Sequence, residues 1–249
     1  MLLENPQGGY SFIAGGPAFS AGCVAGAGFE IVHAALRPAM PLEAGFARVE
    51  RYLTGVGRPR AALCGVHLRI PAPLTPAQFE EFNRPYVAGM KEWGLVIDGR
   101  IPVARTNVAP EAVRVANPAL AGFYFAAPAD GPGATFVLSG AAEVAPGTSG
   151  RPEIVARGDT SAAAIARKLD AVLTVISGHL EEIGAGWADA TAVNLYTVHD
   201  VHPLMPSLLS RCNAGVDGIA WHYARPPVAG LEVEIDLHAV RRSLIIDGR

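Results

Sequence analysis

The segment "IPVARTNV" (residues 101–108) carries one charged side chain, Arg105, in an otherwise uncharged stretch that reads as extended, and "HYARPPV" (222–228) carries another, Arg225. A guanidinium binds a carboxylate through two parallel charge-assisted hydrogen bonds, a geometry that a lysine ammonium cannot reproduce. Both arginines are therefore candidate anion sites. The competing reading for either is an ion pair that closes a strand.

Other chemistries find less support in the residue pattern. His199, Asp200 and His202 of "HDVH", with His222 and His238, invite a metal reading, but no cysteine or glutamate spacing completes a site, and loop histidines are expected. "GAGFE" lacks the full glycine fingerprint of a dinucleotide site, and no serine sits in a G-x-S-x-G elbow. Neither metal nor cofactor is expected. Lys91 and Lys168 are the only lysines among 20 basic residues, and both fall in amphipathic helical stretches where a solvated head group is expected, so imine formation by lysine is disfavoured. Cys23, Cys64 and Cys212 form no paired spacing, which suits buried thiols in a reducing compartment.

A formal net charge of −3 gives no reason to expect a nucleic-acid or membrane partner, and 50% hydrophobic residues over 249 positions suffice for a sizeable core. "MLLENPQGGY" has no basic n-region, and no segment reaches 18 uninterrupted apolar residues, so a cytoplasmic protein acting on small molecules is expected.

The elements that would position the arginines are suggested by an internal repeat. "YSFIAGG" resembles "ATFVLSG", "EIV" recurs at 30–32 and 153–155, "FARVERYL" aligns with "ARKLDAVL" and "VHLRI" with "VNLYT", and the two Ala-Arg pairs follow in the same order. Ile165, Leu169, Val172, Val175, Ile176 and Leu180 make one helical stripe stopped at Gly184. Thr75, Pro76 and Gln78 predict a capped helix start, and Pro85 a distortion within that helix. Leu231, Val233, Ile235 and Leu237 alternate with Glu232, Glu234, Asp236 and His238, which predicts a half-buried strand with one polar face. "APADGPGA" reads as the linker between units at 1–128 and 129–249. The order predicts an α+β fold, a mixed sheet with helices on one face in each unit.

With "VLSG" (Ser139, Gly140), "HYARPPV" (Arg225), "VEIDLHAV" (Glu234), "FNRPY" (Asn83, Tyr86) and "PVART" (Arg105) in this order, the chain resembles the RidA/YjgF family of enamine/imine deaminases. It departs from the pattern at Gly15, where serine is expected, at "GFYFAAP", which lacks the closing glutamate, and at Leu208, which replaces asparagine. Asn107 and Pro227 stand where some members carry cysteine. The resemblance implies two tandem RidA-like (chorismate-mutase-like) β-β-α-β-α-β-β units, the first with degenerate motifs. It also implies cofactor-free hydrolysis of an enamine or imine carboxylate, with an acidic enamine such as 2-aminomuconate suited to two arginines. Arg105 and Arg225 would hold carboxylate, Glu234 would place water, and Ser139, Asn83 and Tyr86 would line the substrate. Relatives with one unit form trimers, so a homotrimer with six units is expected. The rival expectation is a non-catalytic small-molecule sensor of the same fold.

Overall fold

The computed structural model describes residues 2–131, 134–146, 152–214 and 217–248. Short strands β1 (Leu2–Asn5), β2 (Tyr10–Ile13) and β3 (Gly22–Ala25) lead to a long β4 (Phe29–Pro41). Then come α1 (Leu42–Gly55), β5 (Leu63–Arg69), α2 (Pro76–Glu92), β6 (Ala104–Pro110) and β7 (Ala119–Pro128). The second half runs β8 (Phe136–Ala142), β9 (Val144–Pro146), β10 (Pro152–Ile154), α3 (Ala162–Glu182), β11 (Ala192–Tyr196) and α4 (Met205–Arg211). It closes with β12 (Ala220–His222), β13 (Ala224–Arg225), β14 (Glu234–Ala239) and β15 (Ser243–Asp247). The linker stretch "APADGPGA" is part strand, since β7 continues to Pro128, and its residues 132–133 lie outside the described ones.

The strands form two large sheets, in orders β1-β2-β3-β8-β14-β11-β12 and β13-β6-β5-β7-β4-β15. Within them, β12-β11-β14-β8 and β6-β5-β7-β4 share one connection pattern, with α3 and α4 in the places of α1 and α2. "FARVERYL" and "ARKLDAVL" occupy matching helices, and "VHLRI" and "VNLYT" matching strands. Three other expected pairings do not match. "YSFIAGG" lies in β2, whereas the counterpart of β8 is β4; one "EIV" lies in β4 and the other at β10; and Ala224-Arg225 pairs with β6 itself at Ala109 and Pro110. The sheets also exchange strands across residues 128/129, because β3 pairs with β8 and β15 pairs with β4.

Helices cover the outer face of each sheet. In α3, Ile165, Leu169, Val172, Ile176 and Leu180 recur at helical spacing and pack on Phe136, Leu138 and Ile235. Each such side chain contributes roughly 1.5–3 kcal/mol on burial. Ser161 caps the helix by accepting from the Ala164 amide, and Gly184 ends it at φ 71°, which suits glycine. Thr75 and Gln78 form the expected capping box of α2, and Pro85 sits inside the helix without ending it. The inner faces meet over Tyr10, Phe12, Cys23, Ile31, Cys64 and Tyr124. The layers are thus helix, sheet, sheet, helix. Among the described residues no helix is long and apolar enough to cross a membrane.

Two expectations about exposure are corrected by these layers. The polar face of β14 is not solvated, since all six of its residues are buried and Glu234, Asp236 and His238 point toward the other sheet. Lys168 is likewise fully buried, its Nζ 3.3 Å from Glu143 Oε1 and donating to the Val155 carbonyl at 2.8 Å. Glu143 in turn accepts from the Glu232 amide at 2.6 Å and the Val233 amide at 3.2 Å, fixing the start of β14. Removing one partner of a buried pair leaves the other charge uncompensated. Glu143→Ala should therefore destabilise the fold by roughly 3–5 kcal/mol, read from the urea midpoint, whereas a loss below about 1 kcal/mol would show that the pair is dispensable.

Candidate active site

The site starts from an open strand edge. Strand β6 pairs with β5 along its length on one side, but on the other it meets β13 only at its far end. Its remaining edge groups need partners, because a buried unpaired amide costs as much as a lost hydrogen bond. The second sheet supplies them. Ser139 Oγ accepts from the Arg105 amide at 2.9 Å and donates to the Ser20 carbonyl at 2.6 Å, while the Val103 carbonyl accepts from the Ser20 amide at 3.0 Å. One step along, the Asn107 amide donates to the Glu234 carboxyl.

These bonds bring the alternate side chains of β6 to one cavity. Arg105 is 3% exposed, and its guanidinium carbon lies 4.5 Å from the ring centre of Phe19, 4.9 Å from Tyr86 and 5.5 Å from Phe79. Three rings hold the cation by their π faces without using its N–H groups. Both Nη1 and Nη2 are buried with no hydrogen-bond partner among the described residues, as are Asn83 Oδ1, the Tyr86 hydroxyl and both side-chain polar atoms of Asn107. Orphaned buried donors of this kind are rare, and an anionic ligand would satisfy them. Burial lowers the Arg105 guanidinium to about 10, against the opposing effects of Tyr86 and Glu234, so it stays charged at neutral pH.

Glu234, 3% exposed, faces Arg105 across the cavity. Burial, and then the neighbouring Asp236 charge, raise its carboxyl to about 8, although Arg105, Arg69 and the Asn107 amide pull it the other way. Among the described residues no ion pair joins Arg105 to Glu234. The cavity, about 140 Å³, is lined by Phe19, Phe79, Arg105, Asn107, Gly140 and Glu234, with Val228 and Leu231 closing an apolar side. A second cavity of about 220 Å³ shares Phe19, Gly140 and Ala142 with it. Gly140 must be glycine for this arrangement, because a Cβ there would overlap the Glu234 carboxyl oxygen.

The structure thus brings together Arg105, Glu234 and Tyr86 from the sequence-derived set, while Asn83 lies three residues before Tyr86 on α2 with its Oδ1 buried and unpartnered. Ser139 is beside them but acts on backbone, with both hydrogen-bonding capacities used. Arg225 is elsewhere: its Nε donates to Glu111 Oε2 at 2.9 Å, Glu232 lies 4.0 Å from its Nη1, and it is not among the cavity lining. The strand-closing ion pair is the arrangement found for this arginine. His199 bonds Glu232 at 2.7 Å and His202 bonds Asp200 at 2.8 Å, and no group of three His, Cys, Asp or Glu fit to hold a metal occurs among the described residues. Sequence reasoning missed Asn107, Phe19 and Phe79. Asn107 carried a signal, since it lies two positions after Arg105 and so on the same strand face; the two phenylalanines carried none.

Comparison with known proteins places these residues in context. The family described as 2-aminomuconate deaminase CnbZ matches residues 2–244. A 2-amino-5-chloromuconate deaminase from Comamonas testosteroni is 35% identical over 242 residues, covering 96% of each chain. Among solved structures, a chorismatase aligns over 96% of this chain and 78% of its own, with a TM-score of 0.54 at 15% identity, which is a likeness of fold. A Rid-family protein of unknown function from Yersinia pestis overlaps 46% of this chain and 83% of its own, with a TM-score of 0.31 and 21% identity, too little overlap to weigh. The match to the family over nearly the whole chain and the 35% identity to a curated deaminase agree, and the chain belongs to the 2-aminomuconate deaminase CnbZ family of enzymes.

Proposed function

We propose that the enzyme hydrolyses an enamine carboxylate of the 2-aminomuconate type to an oxo acid and ammonia, without a cofactor, at the cavity between Arg105 and Glu234. The observation that carries this reading is the pair of unpartnered guanidinium nitrogens facing a buried carboxyl group across one cavity. Arg105 receives the substrate carboxylate bidentately. Glu234 in its acid form protonates the enamine carbon, so that the C=C pair becomes a C–H bond and the nitrogen lone pair forms C=N⁺. Water then attacks the iminium carbon while the Glu234 carboxylate takes its proton. Finally Glu234 protonates the amine, the C–N bond breaks with loss of ammonia, and the hydroxyl proton returns to Glu234. Water is the only co-reactant. Asn107 supplies polar lining, the Tyr86 ring packs on the Arg105 guanidinium, and Ser139 holds the Arg105 backbone. A tandem of two RidA-like units is supported by the shared strand orders, with the working arginine in one sheet and the working glutamate in the other. The match to a deaminase family favours this enzymatic reading over a non-catalytic sensor.

Enzymatically generated 2-aminomuconate, incubated with the protein, should release ammonia faster than it does spontaneously; no acceleration would remove this substrate. Arg105→Ala should lower kcat/KM on the order of a hundredfold or more, since two charge-assisted bonds of roughly 1.5–3 kcal/mol each are lost, and Arg105→Lys should recover little. Arg225→Ala should stay close to wild type, and a larger loss there than at Arg105 would reassign the anion site.

The acid form of Glu234 is present below about 8 and disappears as pH rises through that value, so kcat/KM should fall above about pH 8. Glu234→Gln should cost about 10²–10⁴ in rate and remove that alkaline limb.

We also propose a homotrimer, following the assembly of single-unit relatives. Light scattering should give a mass on the order of 78 kDa from three chains of 25.9 kDa, and a stable monomer would defeat the model.

A further inference from the structure

Asp236 follows Glu234 by two residues on β14, so both side chains leave the same face of the strand. That face is buried against the other sheet, and Asp236 is 1% exposed. Its oxygens are nevertheless well supplied with donors. Asn194 Nδ2 donates at 2.7 Å and the Tyr196 hydroxyl at 3.0 Å, the Thr106 side chain adds a third bond from β6, and His67 Nε2 lies 3.5 Å away. Glu234, by contrast, has the Asn107 backbone amide as its one hydrogen-bond donor among the described residues. Two carboxyl groups buried on one strand face in a low-dielectric layer do not both ionise readily, and the charge settles on the one with the better donors.

We propose that Asp236 is a positioning residue for the deamination: its fixed negative charge, on the strand face it shares with Glu234, keeps Glu234 in the acid form that protonates the enamine carbon. This inference rests on the acid role given to Glu234 above. The other groups that face Glu234 are Arg105 and the Asn107 amide from β6, Arg69 from β5, Tyr196 opposite it on β11, and uncharged Gly140 on β8. The two arginines favour the ionised form of Glu234; burial is the larger effect opposing them, and a neighbouring negative charge adds to it. Asp236 is that neighbouring charge. Burial works against ionisation of Asp236, while His67 where it is protonated, and the Thr106 and Asn194 donors at any pH, pull its carboxyl below the usual range. His67 is itself pushed down to about 3 by burial, so at neutral pH it brings no full positive charge to cancel the carboxylate. A buried carboxylate is costly and an apolar pair would pack as well, so stability alone gives no reason for the charge.

The experiment is a pH profile of kcat/KM for the full-length enzyme on 2-aminomuconate, in wild type, Glu234→Gln and Asp236→Asn. With the charge at 236 removed, Glu234 should lose its proton at lower pH, and the alkaline limb should move down by about one unit. Asp236→Asn would then be roughly tenfold below wild type at pH 9 and close to it at pH 6. A merely structural role would lower activity equally at both. If the amide variant does not fold, Asp236→Ser, smaller and still able to hydrogen-bond, carries the same expectation. A limb that disappears in Glu234→Gln but stays in place in a folded Asp236 variant overturns the assignment of Asp236 alone. A wild-type limb that persists in Glu234→Gln removes the acid role of Glu234, and this inference with it.

Discussion

The interaction on which the rest depends is the capture of the open edge of β6 by the other sheet. An exposed strand edge is a row of unpaired donors and acceptors that must be paired or covered. Here the edge is closed by side chains: the hydroxyl of Ser139 takes the Arg105 amide and the carboxyl of Glu234 takes the Asn107 amide. The same two bonds that seal the edge fix the arginine backbone and orient the glutamate. Edge closure and assembly of the candidate site are one event, and the sheets cannot slide relative to one another without losing both.

The second constraint is the polar character of the layer between the sheets. Beside Tyr10, Phe12 and Tyr124 it holds a hydrogen-bonded line in which the Tyr124 hydroxyl meets His238 Nδ1 at 2.8 Å and His67 Nε2 at 3.2 Å, with Asp236 next to His67. A network of this kind tolerates few alternative packings, because each displaced member leaves a desolvated group unpaired. The outer layers, filled by the aliphatic stripes of the helices, provide bulk stability. The middle layer provides uniqueness.

How much of this was legible in the sequence follows from the range of each interaction. The stripe of α3, the capping box of α2 and the matching of β5 with β11 are local patterns, and they were readable. Arg105 stood out as a lone charge in an extended apolar run, whereas Glu234, one of three carboxylates alternating in its strand, stood out only through the family resemblance. Arg225 was not, because the glutamate that neutralises it is 114 positions away in sequence. Lys168 misled for the same reason, its partner Glu143 lying 25 positions earlier in the bend between β8 and β9. The alternation in β14 announced a polar face correctly but could not say whether water or a second polar sheet lay opposite, since the period is the same in both cases. Phe19, in the loop before β3, contributes to the site only through three-dimensional proximity.

The exchange of strands between the sheets has a consequence for how the molecule comes into being. Strand β15 lies beside β4, and Ser243 is in register with His33 across most of the chain's length, while β3 waits for β8. Contacts of such long sequence separation form late and slowly, because loop closure must precede any reward from pairing. During synthesis the first sheet emerges with its β4 edge bare and its β6 edge unsealed, both competent to pair with another chain. The fold therefore has no self-sufficient half, and its vulnerable period is the interval between the emergence of β4 and the arrival of β14 and β15. Holding that intermediate apart from its neighbours is a task for whatever receives the nascent chain.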